Sequence, residues 1–135
     1  MLKGNMIHPE IAEVLSLCGH GTKVLIADGN YPLMARTDGA RLVYLGLKPG
    51  MPTVTDVLES LLSVSNFESA EVMRTPDGSD PEIFADFKRL LPDAPFTKLN
   101  AAEFYAACCE PLVMLAISTG EQRTYANILL TVGCS

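Results

Sequence analysis

An α/β sandwich, with helices on both faces of a mostly parallel sheet, is the fold class this sequence predicts. Three observations lead there. Strand-length apolar runs alternate with segments whose apolar residues recur at helical spacing. One run, Lys23 to Ala27, is continuous rather than alternating, as in a strand covered on both faces. Helix-start signals precede the helical segments at His8-Pro9-Glu10, at Thr53 with Asp56 and at Asn100 with Glu103. The chain of 135 residues is read as one domain, 1–135, long enough to bury a core.

In order, Pro9 and Glu10 open the first helix, Ile11, Val14, Leu15 and Cys18 form its inner face, and Gly19 stops it. Lys23 to Ala27 is the first strand, and Asp28 to Gly39 is loop. Arg41 to Leu47 reads as a second strand, ended by Lys48-Pro49-Gly50-Met51-Pro52. Thr53 caps a helix that packs Val57, Leu58, Leu61 and Leu62. Phe67 to Met73 is a third strand. Asp80-Pro81-Glu82 starts a helix with Ile83, Phe84, Phe87, Leu90 and Leu91 inward, ended by Pro92 and Pro95. Phe96 to Leu99 is a short strand, and Asn100 caps a helix from Ala101 to Cys109. Leu112 to Ser118 and Tyr125 to Val132 are strands, expected to pair as an antiparallel hairpin that makes the sheet mixed.

Composition excludes several functions. With 48% apolar residues the chain can build a core, yet its longest apolar runs are strand-sized, far short of a membrane span. A formal charge of −6 argues against nucleic-acid and anionic-membrane partners, which need clustered Lys and Arg. Met1 to Asn5 leads into a helix start without an apolar secretory region, so a cytoplasmic location is expected. Cys18, Cys108, Cys109 and Cys134 have neither metal-ligand spacing nor a disulfide framework; buried free thiols and no metal site are expected.

His20, between Gly19 and Gly21, is the candidate for proton transfer, because an imidazole offers both protonation states near neutrality. It could equally cap carbonyls at the end of the first helix. Asp28 stands at a strand's carboxyl end, where open α/β sheets bind ligands, and can accept two hydroxyls. Taken alone it also reads as a turn aspartate ahead of Gly29. Tyr125 and Asn127, two apart, would share one face of the last strand, so either the core or a ligand must satisfy their polar groups. Glu121 and Arg123 read as solvated turn residues, and His8 as structural. No phosphate loop, nucleophile elbow or dinucleotide fingerprint is present.

Taken together, Met1-Leu2-Lys3-Gly4, Gly19-His20-Gly21, Asp28-Gly29-Asn30-Tyr31-Pro32, Phe104-Tyr105, Thr119-Gly120-Glu121 and Tyr125-Ala126-Asn127-Ile128-Leu129-Leu130 resemble the ribose pyranase and fucose mutarotase family. The resemblance runs through most of the chain. It implies a three-layer α/β/α fold assembled into homo-oligomeric rings, commonly decamers, with each monosaccharide site between neighbouring subunits. It implies interconversion of sugar anomers or ring forms without a cofactor. By position, His20 would be the general acid/base, Asp28 a ligand of sugar hydroxyls, and Tyr125 and Asn127 further sugar contacts. The family's basic sugar-binding residue is replaced here by Ala101-Ala102, with Lys98, Arg36 or Arg123 as possible substitutes. The Asp28–Pro32 motif is closer to the fucose type and Tyr125-Ala126-Asn127 to the ribose type. An L-fucose mutarotase is the reading favoured, with D-ribose pyranase or a non-catalytic sugar-binding assembly protein as alternatives.

Overall fold

A computed structural model describes residues 1–135. The elements are α1 (Pro9–Leu17), β1 (Lys23–Ala27), β2 (Arg41–Tyr44), α2 (Val54–Leu62), β3 (Phe67–Met73), α3 (Ile83–Leu90), β4 (Phe96–Leu99), α4 (Ala101–Cys108), β5 (Val113–Ser118) and β6 (Ile128–Val132). Three of the four helices start where a side chain satisfies an orphan N–H group of the first turn, and α3 starts without one. His8 Nδ1 accepts from the Ile11 amide at 3.3 Å, ahead of Pro9. Thr53 Oγ1 accepts from the Asp56 amide at 3.1 Å while the Asp56 carboxylate takes the Thr53 amide at 2.9 Å. Asn100 and Glu103 make the same reciprocal pair at 2.8 and 3.0 Å. The Thr53 and Asn100 caps are each worth about 1 kcal/mol.

The six strands form one sheet in the order β2-β5-β1-β6-β3-β4. β6 runs antiparallel to both β1 and β3, and every other neighbouring pair is parallel. The carboxyl ends of β1, β2, β3, β4 and β5 therefore lie along one edge, together with the amino end of β6. Alternation along β1 sorts the core into two layers. Val24 and Ile26 pack with Ile11, Val57, Leu58, Phe84 and Phe87 from α1, α2 and α3. Leu25 and Ala27 pack on the other face with Phe104 and Cys108 of α4 and with Tyr31 and Leu33 of the segment after β1. That is the expected α/β/α layering, with the second helical layer completed by loop.

The expected β5–β6 hairpin does not form: β1 lies between the two strands. The connection is held across the end of β1. Thr119 Oγ1 donates to the Ala27 carbonyl at 2.8 Å, and the Gly29 amide donates to the Glu121 carbonyl at 2.9 Å. β6 also begins at Ile128 rather than Tyr125. Tyr125 has φ 55°, outside strand geometry, and the Ala126 amide is bound to Asp28. β2 likewise stops at Tyr44, short of Leu47. Burial of the thiols holds for Cys108, whose pKa desolvation pushes up to about 12, whereas Cys134 is exposed. No helix is long and apolar enough to cross a membrane.

Candidate active site

Asp28 leaves β1 at the edge where the carboxyl ends gather and is buried. Oδ1 accepts from the Asn30 amide at 2.9 Å and Oδ2 from the Ala126 amide at 3.3 Å. Its own amide donates to Asn127 Oδ1 at 2.8 Å. The carboxylate is thus clamped from two loops that are about a hundred residues apart in sequence. Burial is the leading influence on its acidity and raises its pKa, opposed by the amides of Asn30 and Ala126.

Asn127 is buried, but its Nδ2 makes no hydrogen bond within the chain. No side-chain polar atom sealed from solvent lacks a partner, so that nitrogen faces the pocket and is available to a ligand. Tyr125 is half-buried, and its left-handed backbone is costly for a bulky residue, the kind of strain that functional loops hold. Although Tyr125 and Asn127 precede β6 rather than sharing one of its faces, both line the same 210 Å³ pocket as Asp28. Tyr31, Tyr105 and Ala101 supply other walls. At that volume, below the roughly 300–1,000 Å³ typical of drug-sized ligands, the pocket suits a small polar molecule.

Tyr31 and Tyr105 were not expected as walls from residue pattern; their membership in the motifs Asn30-Tyr31-Pro32 and Phe104-Tyr105 is the signal that could have found them. Tyr31 stands edge-on to Phe104 at 6.3 Å, its hydroxyl donates to the Arg36 carbonyl at 3.0 Å, and burial raises its pKa above the usual phenol value. On the far side of Asn30 a wider groove of 430 Å³ runs past Gly29, Gly46, Lys48 and Gly120. The amides of Gly29 and Gly120 in its wall are bound within the chain.

Of the three cations considered, two are engaged elsewhere. Lys98 Nζ lies 2.6 Å from Asp80, and Arg123 lies 2.6 Å from Glu121 and 3.7 Å from Asp86. Arg36 instead places its guanidinium 4.3 Å from the centre of the Tyr105 ring and makes no ion pair. Glu121, expected in a solvated turn, is only 4% exposed, because Arg123 covers its carboxylate and its amide donates to Thr119 Oγ1.

His20 lies at the opposite end of β1. It precedes the strand as Asp28 follows it, so the two are separated by roughly 17 Å of extended chain at about 3.3 Å per residue. The Gly21 amide donates to the Val132 carbonyl at 2.9 Å, which ties the histidine turn to the end of β6. The imidazole is 57% exposed, and Nε2 stands 3.0 Å from each carboxylate oxygen of Glu68. Within one protomer, then, Asp28, Tyr125 and Asn127 are brought together and His20 is not.

Because Asp28 holds its proton to higher pH when folded than when unfolded, it favours the folded state most below its ordinary value of 3.8. That contribution is lost as pH rises through the raised value. Thermal unfolding should therefore show the Tm of the wild type relative to Asp28→Asn falling as pH increases across this window. A difference that grows with pH would contradict burial as the dominant influence.

Fold and pocket together define an open-sheet α/β protein with a pocket of small-molecule size outside the strand carboxyl ends. The chain belongs to the RbsD / FucU transport protein family, whose model matches residues 1–135. It is 30% identical over 133 residues to a D-ribose pyranase of Symbiobacterium thermophilum, covering 98% of each chain. It is 33% identical over 135 residues to a D-ribose pyranase of Variovorax paradoxus, again covering 98% of each. Bacillus subtilis RbsD complexed with D-ribose superposes with a TM-score of 0.88 at 27% identity, covering 100% of this chain and 99% of that one. The fucose mutarotase of Streptococcus pneumoniae in complex with L-fucose gives 0.80 at 25%, covering 96% and 94%.

Proposed function

We propose that the protein is a cofactor-independent isomerase interconverting the cyclic forms of a free monosaccharide. The convergence of Asp28, Tyr125 and Asn127 on one small pocket, with the Asn127 amide nitrogen left for a ligand, carries this reading. Opening a cyclic hemiacetal removes the anomeric hydroxyl proton while the ring oxygen gains one; closure on the other face, or by another hydroxyl, gives the other anomer or ring size. Asp28 accepts from sugar hydroxyls, Asn127 donates to a sugar oxygen, and Tyr125 orients the ring. His20 carries the proton. Since it cannot reach the pocket of its own chain, it serves a neighbouring copy, in a homo-oligomeric ring such as a decamer with sites between subunits.

D-ribose is the substrate favoured by the pyranase relatives and by the higher structural similarity to the ribose complex. L-fucose, favoured by the Asp28–Pro32 motif, is the second reading. The unpaired cysteines suit the reducing cytoplasm. Saturation-transfer NMR on a panel of aldoses containing both sugars tests the activity without any added cofactor. Accelerated exchange between cyclic forms is expected; ligand-induced shifts without acceleration would leave a sugar-binding protein instead.

Arg36 is the cation that stands in for the family's missing basic residue near Ala101, being stacked on a pocket wall and free of carboxylate partners. A charged hydrogen bond to a sugar oxygen is worth about 1.5–3 kcal/mol, so Arg36→Ala should raise the sugar KM by about 10–100-fold. An unchanged KM would remove it from the site.

A further inference from the structure

The surroundings of His20 contain a device that the sugar pocket does not explain. β3 and β6 pair Phe67 with Val132 and Ser69 with Thr131, two steps on one strand for one on the other. Glu68 is therefore the extra residue of a β-bulge, a feature that bends a strand and re-aims its side chain. The same Val132 accepts from the Gly21 amide and donates its own amide to the Thr22 carbonyl at 2.8 Å. Histidine turn and bulge are thus fastened to one residue of β6. Next to it, Gly133 lies so near the bulge that a Cβ there would stand 3.0 Å from Glu68 Cβ, so a side chain at 133 would press on the glutamate. The Gly133 amide donates to the Asn66 carbonyl at 2.9 Å, and Asn66 Nδ2 donates to the Cys134 carbonyl, closing the frame.

We propose that Glu68 is a positioning residue that fixes which nitrogen of His20 works on the sugar. An ionised carboxylate only accepts, so the nitrogen beside it, Nε2, carries the hydrogen. Both Glu68 oxygens stand 3.0 Å from Nε2. Nδ1 has no partner in the chain. It is left as the lone pair that takes the anomeric hydroxyl proton from a sugar in the adjacent copy's pocket. The proton then resides on Nδ1 of an imidazolium that Glu68 stabilises and returns from Nδ1 to the ring oxygen, so the imidazole ends as it began. Nε2 keeps its hydrogen throughout, and the exposed ring leaves Nδ1 without a partner in its own chain. This assignment rests on the acid/base role given to His20 above, and it concerns the side chain that orients the base rather than the sugar.

Two measurements test it separately. Imidazole 15N NMR of the neutral wild-type protein, which requires no turnover, should show protonated Nε2 and unprotonated Nδ1 for His20. In Glu68→Ala the two nitrogens should move towards each other as the tautomers mix. Saturation transfer should show kcat down by about 10–100-fold in Glu68→Ala, the order of loss caused by a misplaced catalytic group. KM for the sugar should be nearly unchanged, and Glu68→Gln, whose amide oxygen still accepts but which carries no charge for the imidazolium, should recover only part of the rate. A hydrogen found on Nδ1 in the neutral wild type overturns the assignment, as does undiminished kcat in Glu68→Ala. If the wild type accelerates no exchange, the isomerase reading and the catalytic half of this assignment fail together, while the NMR result decides the pairing by itself.

Discussion

His20→Ala is expected to abolish accelerated sugar exchange while leaving the fold and its assembly intact. The side chain is 57% exposed and its sole hydrogen-bonding partner in the chain is Glu68, whose own side chain is 45% exposed. Removing so exposed a pair takes little from stability, because surface ion pairs contribute about 0–1 kcal/mol. The catalytic loss is of another order. A positioned acid/base supplies roughly 10²–10⁴-fold, or about 3–5 kcal/mol of barrier. That is sufficient for a reaction sugars already undergo slowly in water. Saturation transfer gives the rate and light scattering the mass; exchange at the wild-type rate would dismiss the imidazole from the mechanism.

Gly120→Ala should produce the largest loss of stability. A Cβ there would lie 2.5 Å from the carbonyl oxygens of Lys48 and Met51 and 2.8 Å from the Met51 amide nitrogen. All three are backbone atoms in a turn closed by its own bonds, Met51 amide to Lys48 carbonyl at 2.9 Å and Leu47 amide to Met51 carbonyl at 3.0 Å. Gly120 is also clasped directly, donating to Pro52 and accepting from Gly50. No rotamer change can relieve such contacts, so the cost is expected to be about 3 kcal/mol or more, roughly 10 °C in Tm for a chain of this size. Gly19→Ala is the internal control: nothing lies within 4 Å of its added methyl, and its Tm should scarcely move. Equal Tm values for the two variants would refute the packing argument.

What the sequence discloses follows the range of the interactions involved. The capping pairs Thr53–Asp56 and Asn100–Glu103 are three residues apart and legible in a single turn. β3 and β4 have the bounds their flanking residues predict. Asp28 could be singled out because the end of a covered strand is itself a local feature. The position of β6 depends instead on Thr119, Glu121 and Ala126 binding residues 27–29, more than ninety positions away, and no short-range pattern encodes that. A hairpin was the natural expectation for two adjacent apolar runs, and it is wrong because those distant bonds draw the connection across β1. Glu121 misled for a related reason: a charged residue in a turn reads as solvated until Arg123 folds over it. Glu68 carries no signal either, since a bulge arises from pairing and an isolated strand does not reveal it.

The strand that divides histidine from aspartate has a consequence for stoichiometry. Under the proposed mechanism each polypeptide carries two halves of an enzyme facing opposite ways, and an unaccompanied copy would complete no reaction centre. Two copies related by a twofold axis can complete a pair of centres, and head-to-tail contacts complete one centre per copy only when the chain of contacts closes on itself. Turnover per polypeptide should consequently collapse on dilution below the concentration at which neighbours separate, even while every chain remains folded.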